Sequence, residues 1–263
     1  MTVRVVVDSA AGLPAEIAEE LDITVVPMHV MEDADGEGST SGLTALELAA
    51  CYARQLERGG DEGVVALHLT KTMSSTWSAA VTASGVFPGT VRVVDTDTAG
   101  MAIGAAAMAA ATVAREGGTL EQCEEMAVNT LKRAETWLYL QQVEGLRKSG
   151  RLSTGTALSA TLLATKPILR MHDGKFELAA KTRTQTKAFA RLAELVLERA
   201  DGEPVFAAVQ HADAADAAEQ FALMLEEVLP QHSQVLVEPM MDVLATHTGK
   251  GAIGLSVIFV EPA

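Results

Sequence analysis

Short apolar runs alternate with amphipathic stretches from residue 3 to residue 140, and that alternation leaves few folds open to the chain. Residues 3–7, 23–26, 64–69 and 91–94 are aliphatic runs of strand length, rich in valine and isoleucine. Helical patterns separate them. Pro14 stands where a helix can begin, with Glu16 and Glu19 suited to its first turns. Thr44 and Glu47 have the spacing of a capping box for a helix reaching about Arg58. A helix is predicted over residues 98–115, and Thr119 with Gln122 opens another that runs to about Ala134. Residues 31–41 read as an acidic, glycine-bearing loop, and residues 137–140 close the series as a strand. Strands and helices joined by such short connections predict a mostly parallel, doubly wound α/β sheet.

The second half is patterned differently. Residues 166–170 and 175–179 flank His172-Asp173-Gly174, a hairpin turn with glycine where a positive φ is needed. Helices over 185–200 and 214–229 are interleaved with strands over 205–210, 234–238 and 254–260. A hairpin with returning strands predicts a mixed or antiparallel sheet covered by helices on one face. Gly150, Gly155 and neighbouring hydroxyl residues place the division between a first domain, residues 1–153, and a second α/β domain, residues 154–263. No long linker separates them, so an interface is expected there, a favoured place for a ligand pocket.

A formal net charge of −15 argues against nucleic acid and against adsorption to an anionic membrane. No apolar run has membrane-spanning length; residues 101–114 come closest and end at Arg115-Glu116. The chain passes from Met1 directly into a strand, so a cytoplasmic protein without a stable membrane anchor is expected. Cys51 and Cys123 sit in separate helical patterns and read as buried free thiols in a reducing compartment. The six histidines are scattered without ligand spacing, so no metal is expected.

The strand over 64–69 runs at once into Thr70-Lys71-Thr72-Met73-Ser74-Ser75-Thr76-Trp77, whose second half opens a helix continuing toward Ser84. In a parallel sheet, a strand exit into a helix N-terminus suits an anion, and hydroxyls there add hydrogen bonds without adding charge. The same hydroxyls also satisfy the needs of an ordinary helix cap. Asp8-Ser9, Thr40-Ser41 and Asp95-Thr96 fall at or near the same edge of the predicted sheet. Further along stand Gly150-Arg151-Leu152-Ser153, Lys166-Pro167-Ile168-Leu169, Lys181-Thr182-Arg183 and His247-Thr248-Gly249-Lys250-Gly251.

In this order and spacing the motifs resemble the DegV family of bacterial fatty-acid-binding proteins, over nearly the whole chain. The resemblance implies an N-terminal Rossmann-like domain joined to a second α/β domain, with a long-chain fatty acid in a slot between or adjoining them. It implies a carrier that presents its ligand to a separate fatty acid kinase, which phosphorylates the carboxylate to an acyl-phosphate for phospholipid synthesis. The carrier itself is expected to have no catalytic residue, no metal and no cofactor. In such proteins a threonine, a serine and a histidine hold the carboxylate, and the matching positions are Thr40, Ser74 and His247. Ser41, Ser75, Thr76 and Gly249 beside them complete the expected ligand-binding set. Arg151 and Arg183 would meet the kinase or the phosphoryl group, or else form an ion pair between the domains.

The chemistry of the residues agrees with this reading. A buried carboxylate without partners costs several kcal/mol, so two hydroxyls, an imidazole and helix N–H groups form a sensible minimal set. At about 0.8 kcal/mol per buried CH₂, a long tail contributes roughly 10 kcal/mol before entropy is subtracted. Met73, Met101, Ile103, Leu162, Leu163 and Ile168 could line such a slot or simply fill the core. The chain departs from the family pattern in four places. Ser75 stands where glycine is usual, Gly42-Leu43 where Gln-Pro is usual, Lys250 for a proline and Lys71 for a hydroxyl residue. The two lysines either approach the head group or point into solvent. Two other functions compete. Ser74, His247 and Asp8 could form a hydrolase triad, although the G-x-S-x-G elbow is missing. A nucleotide or another amphiphile could bind, although residues 100–104 are too sparse in glycine for a dinucleotide fingerprint.

Overall fold

The computed structural model describes residues 2–32, 38–152 and 165–260. Ser153, Leu162, Leu163 and the expected division after residue 153 lie outside the described residues. The chain forms two compact units, Met1–Lys132 and Arg133–Ala263.

In the first unit, β1 (Arg4–Asp8), α1 (Ala15–Glu20), β2 (Ile23–Val26), β3 (His29–Glu32), β4 (Gly38–Ser41) and α2 (Ala45–Gly59) come first. They are followed by β5 (Val64–His68), α3 (Thr76–Ser84), β6 (Val91–Asp95), α4 (Met101–Arg115) and α5 (Leu120–Lys132). Four strands form a sheet of order β2-β1-β5-β6 in which every neighbouring pair is parallel. β1 and β5 are buried along their whole length, as expected of central strands covered on both faces.

The helix boundaries follow local chemistry. Thr44 Oγ accepts the N–H of Glu47 at 3.3 Å while the Glu47 carboxylate accepts the N–H of Thr44 at 2.8 Å, and Gly60 at φ 68° ends α2. Thr119 and Gln122 exchange the same two bonds, at 2.9 and 3.2 Å, ahead of α5. α4 begins at Met101 rather than at the predicted residue 98, because Gly100 (φ 70°, ψ −154°) breaks the helical path there. A Cβ on Gly104 would lie 3.1 Å from the Ala11 carbonyl, so glycine lets this alanine-rich helix approach the turn after β1.

The predicted loop over 31–41 proves, in its described parts, to be an antiparallel ribbon. Val30 faces Thr40 and His29 faces Ser41 across β3 and β4. Gly38-Ser39-Thr40-Ser41 is too polar to register as a strand by apolar period; pairing with β3 supplies its ladder.

The second unit contains β7 (Ala134–Tyr139), α6 (Glu144–Lys148), β8 (Lys166–His172), β9 (Lys175–Thr182) and α7 (Gln185–Ala200). It continues with β10 (Phe206–His211), α8 (Ala215–Val228), β11 (Gln234–Pro239), α9 (Asp242–Thr248) and β12 (Ile253–Ile258). Its six strands run β11-β10-β12-β7-β8-β9, and only β10 and β11 are parallel neighbours. Asp173 (φ 46°) and Gly174 (φ 73°) give the β8–β9 hairpin its tight turn. Phe189, Leu192 and Val196 of α7 and Phe221 and Leu225 of α8 pack with Trp137, Tyr139, Ile168 and Leu255 of the sheet in one core. Phe189 and Phe221 stack with centroids 4.6 Å apart, bringing the two helices together on that face. The α/β class, with one parallel and one mixed sheet, is as read from the sequence.

The strand over 137–140 is placed differently. It was expected to close the first sheet, but β7 pairs antiparallel with β12 and β8 in the second. The first unit therefore ends at Lys132, some twenty residues before the expected division. β7 is flanked on both sides by strands that come after it in the chain, a choice that its own apolar pattern does not encode.

Candidate functional site

The carboxyl ends of β1, β5 and β6 are tied together by buried polar side chains. The Asp8 carboxylate, fully buried, accepts the N–H of Ala10 at 2.9 Å and of Leu69 at 2.8 Å, and meets Nδ1 of His68 at 3.2 Å. Nε2 of His68 lies 2.9 Å from the Tyr52 hydroxyl. Burial, with the charges of Cys51 and Asp8 adding to it, pushes the Tyr52 phenol up, so it stays protonated and donates to Nε2. Nδ1–H is then left to serve Asp8. Ser9 Oγ accepts the N–H of Met28 at 3.0 Å, and the Thr96 hydroxyl donates to the His68 carbonyl at 2.7 Å. These strand-end polar groups, read from the sequence as converging tips, hold the connections in place. Asp8 serves His68, which occupies the carboxylate that a Ser74–His247–Asp8 triad would need.

Above this frame β5 hands over to α3. The Thr70 carbonyl accepts the N–H groups of Met73 at 3.0 Å and Ser74 at 3.2 Å, coiling the connection into one turn. Ser74, Ser75 and Thr76 end that turn. Ser74 Oγ accepts the N–H of Thr76 at 3.1 Å and lies 2.9 Å from Thr76 Oγ, which itself accepts the N–H of Leu43 at 3.1 Å. The backbone of Gly42 fits against all three hydroxyls. A Cβ there would stand 2.7 Å from Ser75 Oγ, 2.9 Å from Thr76 Oγ and 3.1 Å from Ser74 Oγ. The ribbon carrying Thr40 and Ser41, both half-buried, thus ends directly against the hydroxyl turn. An imidazole–carboxylate pair, His29 Nε2 to Glu47 at 2.9 Å, fastens the same ribbon to the first turn of α2. The Thr44 bonds and His29 hold the Glu47 carboxyl below its ordinary range.

Lys71 stands at the rim of this turn. It pairs with Asp95 at the end of β6 and lies 5.4 Å from the centre of the Trp77 ring. The Asp95 carboxylate raises the lysine pKa. Trp77 Nε1 and Asp95 Oδ1 are buried without a hydrogen-bond partner among the described residues. Of the apolar candidates, Met101, Ile103 and Ile168 are fully buried, with Ile168 in the core of the second unit, and Met73 is half-buried.

The remaining candidates belong to the second unit. His247 lies in the last turn of α9, half-buried, and burial followed by the nearby Arg151 cation lowers its pKa. At neutral pH it is an uncharged imidazole. Arg151 is half-buried and donates to the Ser149 carbonyl at 2.8 Å. Gly249 (φ 76°) ends α9 with its N–H on the Ala245 carbonyl at 2.8 Å. Lys250 is exposed and paired with Asp213 at 3.1 Å, and Arg183 is exposed between β9 and α7. The structure thus gathers Ser74, Ser75 and Thr76 behind the Thr40–Ser41 ribbon in one unit, and His247, Gly249 and Arg151 in the other. Sequence reasoning missed Gly42, Tyr52 and His68; the signal for His68 was a histidine inside an otherwise aliphatic strand.

Among the described residues no group of three or more His, Cys, Asp or Glu side chains could hold a metal ion, and no helix is long and apolar enough to cross a membrane. Cys51 and Cys123 are free and buried, and burial raises both thiols.

A parallel sheet with neutral hydroxyls at the carboxyl edge of its strands, followed by a mixed sheet, defines a two-unit α/β protein. A family model described as "Uncharacterised protein, DegV family" matches residues 31–260, and the chain belongs to the DegV family. The chain is 56% identical to a DegV family protein of Corynebacterium glutamicum; the structures superpose with a TM-score of 0.97 over 100% of each chain. A DegV family protein from Thermus thermophilus, described as binding fatty acid, is 26% identical, with a TM-score of 0.90 over 99% of this chain and 100% of that one. DegV from Bacillus subtilis, described as a fatty acid binding protein, is 28% identical with a TM-score of 0.86 over 99% and 100%.

Proposed function

We propose that this protein is a cytoplasmic fatty-acid carrier that binds a long-chain acid by its carboxylate and presents it to a separate fatty acid kinase. The observation that carries the reading is the set of neutral hydroxyls drawn together against Gly42 at the carboxyl edge of a parallel sheet. Likeness to family members described as binding fatty acids supports it.

Ser74 and Ser75, with Thr40 and Ser41 on the adjoining ribbon, are the proposed head-group contacts in the first unit. His247, uncharged at neutral pH, is the proposed donor from the second, with Gly249 ending its helix. Neutral donors suit the proposed role. A lysine clamp would hold the carboxylate more strongly but would also withdraw the electron density with which its oxygen attacks a phosphoryl group. Lys71 and Lys250 each have a carboxylate partner of their own, Asp95 and Asp213. Arg183, exposed, and Arg151 are the proposed contacts for the kinase or the transferred phosphoryl group. On this reading the acyl-phosphate is made by the partner, and this chain contributes no catalytic residue or cofactor.

Native mass spectrometry of the protein as purified, followed by extraction and identification of lipid, tests the reading. A stoichiometric long-chain acid is the expected result. Ser74→Ala should weaken stearic acid binding about tenfold or more, the factor of one hydrogen bond to a charged group. A protein that arrives empty and takes up no added stearic acid refutes the proposal.

A further inference from the structure

Thr76 and Ser74 share one proton between their oxygens, and burial decides which of them supplies it. Thr76 is fully buried, and its oxygen already accepts the N–H of Leu43 at 3.1 Å. Were Ser74 the donor across the 2.9 Å contact, the Thr76 proton would be left in the interior with no acceptor among the described residues. A stranded buried donor is the costlier arrangement, so Thr76 donates to Ser74. Ser74 Oγ then has both lone pairs occupied, one by Thr76 O–H and the other by the Thr76 backbone N–H at 3.1 Å. Its own proton points away from the relay, and Ser74 is half-buried rather than sealed.

We infer that Thr76 is a positioning residue: the relay from Leu43 N–H through Thr76 to Ser74 makes Ser74 a donor only, so the site selects a head group that accepts without donating. This rests on the fatty-acid reading and adds a discrimination to it. An ionised carboxylate satisfies such a site. A fatty alcohol does so incompletely, because its own O–H finds no lone pair on Ser74. Gly42 belongs to the same device. Its missing side chain lets the Ser41–Leu43 backbone close on the three hydroxyls, bringing the Leu43 N–H onto Thr76. Thr76 has no accessible surface and acts through Ser74 rather than by touching the ligand.

The test is the ratio of the Kd for octadecan-1-ol to that for stearic acid, measured on the full chain. Thr76→Val keeps the shape and removes the hydroxyl. Ser74 recovers a lone pair, its proton is free to turn, and the alcohol O–H gains an acceptor that the wild type denies it. The ratio should fall about two- to tenfold, the factor of one hydrogen bond between neutral groups. Thr76→Ser, which restores the hydroxyl, should restore the preference. Thr76→Ala removes the same hydroxyl with less bulk and should lower the ratio as well; it decides the matter should Thr76→Val fail to fold. A purely structural role for Thr76 would weaken both ligands equally. An unchanged ratio in Thr76→Val or in Thr76→Ala, with stearic acid still bound by the wild type, overturns the relay alone. A wild-type protein that binds neither ligand overturns the fatty-acid reading beneath it.

Discussion

Replacing Asp8 by alanine removes the one acceptor shared by three buried donors, and the structure sets the size of the effect. The N–H groups of Ala10 and Leu69 and the Nδ1–H of His68 all end on this carboxylate, at 2.9, 2.8 and 3.2 Å. Asp8 and His68 are fully buried, so solvent does not take its place without opening the sheet edge. A buried donor left without an acceptor costs about 1–3 kcal/mol, and the three together should cost roughly 3–6 kcal/mol once an entering water recovers part of the loss. Set against the ~5–15 kcal/mol that holds a domain folded, this is a severe perturbation. Urea unfolding followed by circular dichroism measures it, and amide exchange at Ala10 and Leu69 locates it. Tyr52→Phe is the companion variant. It removes the donor at the other end of the same imidazole and orphans one acceptor, so a smaller loss of about 1–2 kcal/mol is expected. Because both act through His68, the double variant should lose less than the two single losses combined. A loss below about 1 kcal/mol for Asp8→Ala, with both amides still protected, would refute this account of the buried chain.

Further predictions concern the second unit. The folded pKa of His247 lies below its unfolded value of about 6.5, so the unfolded chain takes up this proton first. This residue's contribution to stability is therefore intact above pH 6.5 and weakens as pH falls below it; His247→Gln should flatten that part of the curve in urea titrations. Arg151→Met removes a cation that disfavours imidazolium, and the His247 NMR titration should move upward. Gly145→Ala places a Cβ 2.8 Å from the His247 carbonyl and forces α6 off α9; a loss of about 1–3 kcal/mol in urea unfolding is expected. Phe221→Ala opens the stack with Phe189 inside the core and should cost about 3–5 kcal/mol, read by thermal or urea unfolding.

Much of the fold was legible in the chain because its signals are local. Thr44 with Glu47 and Thr119 with Gln122 announce helix starts through groups three residues apart, and both pairs form as read. Asp173-Gly174 dictates a hairpin from two residues alone, and the aliphatic strands β1, β5 and β6 are marked by β-branched composition. Proximity between distant segments carries no such mark. β7 joined the second sheet because Tyr139 pairs with Ile253 and Ile168, partners that no apolar period identifies. Gly42 meets hydroxyls more than thirty positions away, and Asp8 meets His68 sixty positions on. The hydroxyls of the candidate site could be named from their order in the chain, but their division of labour depends on burial and on which N–H each oxygen accepts. A sequence records what each segment prefers by itself; which hydroxyl donates and which accepts is settled only when the folded chain closes Gly42 and Leu43 over Thr76 and removes the water that would otherwise serve both.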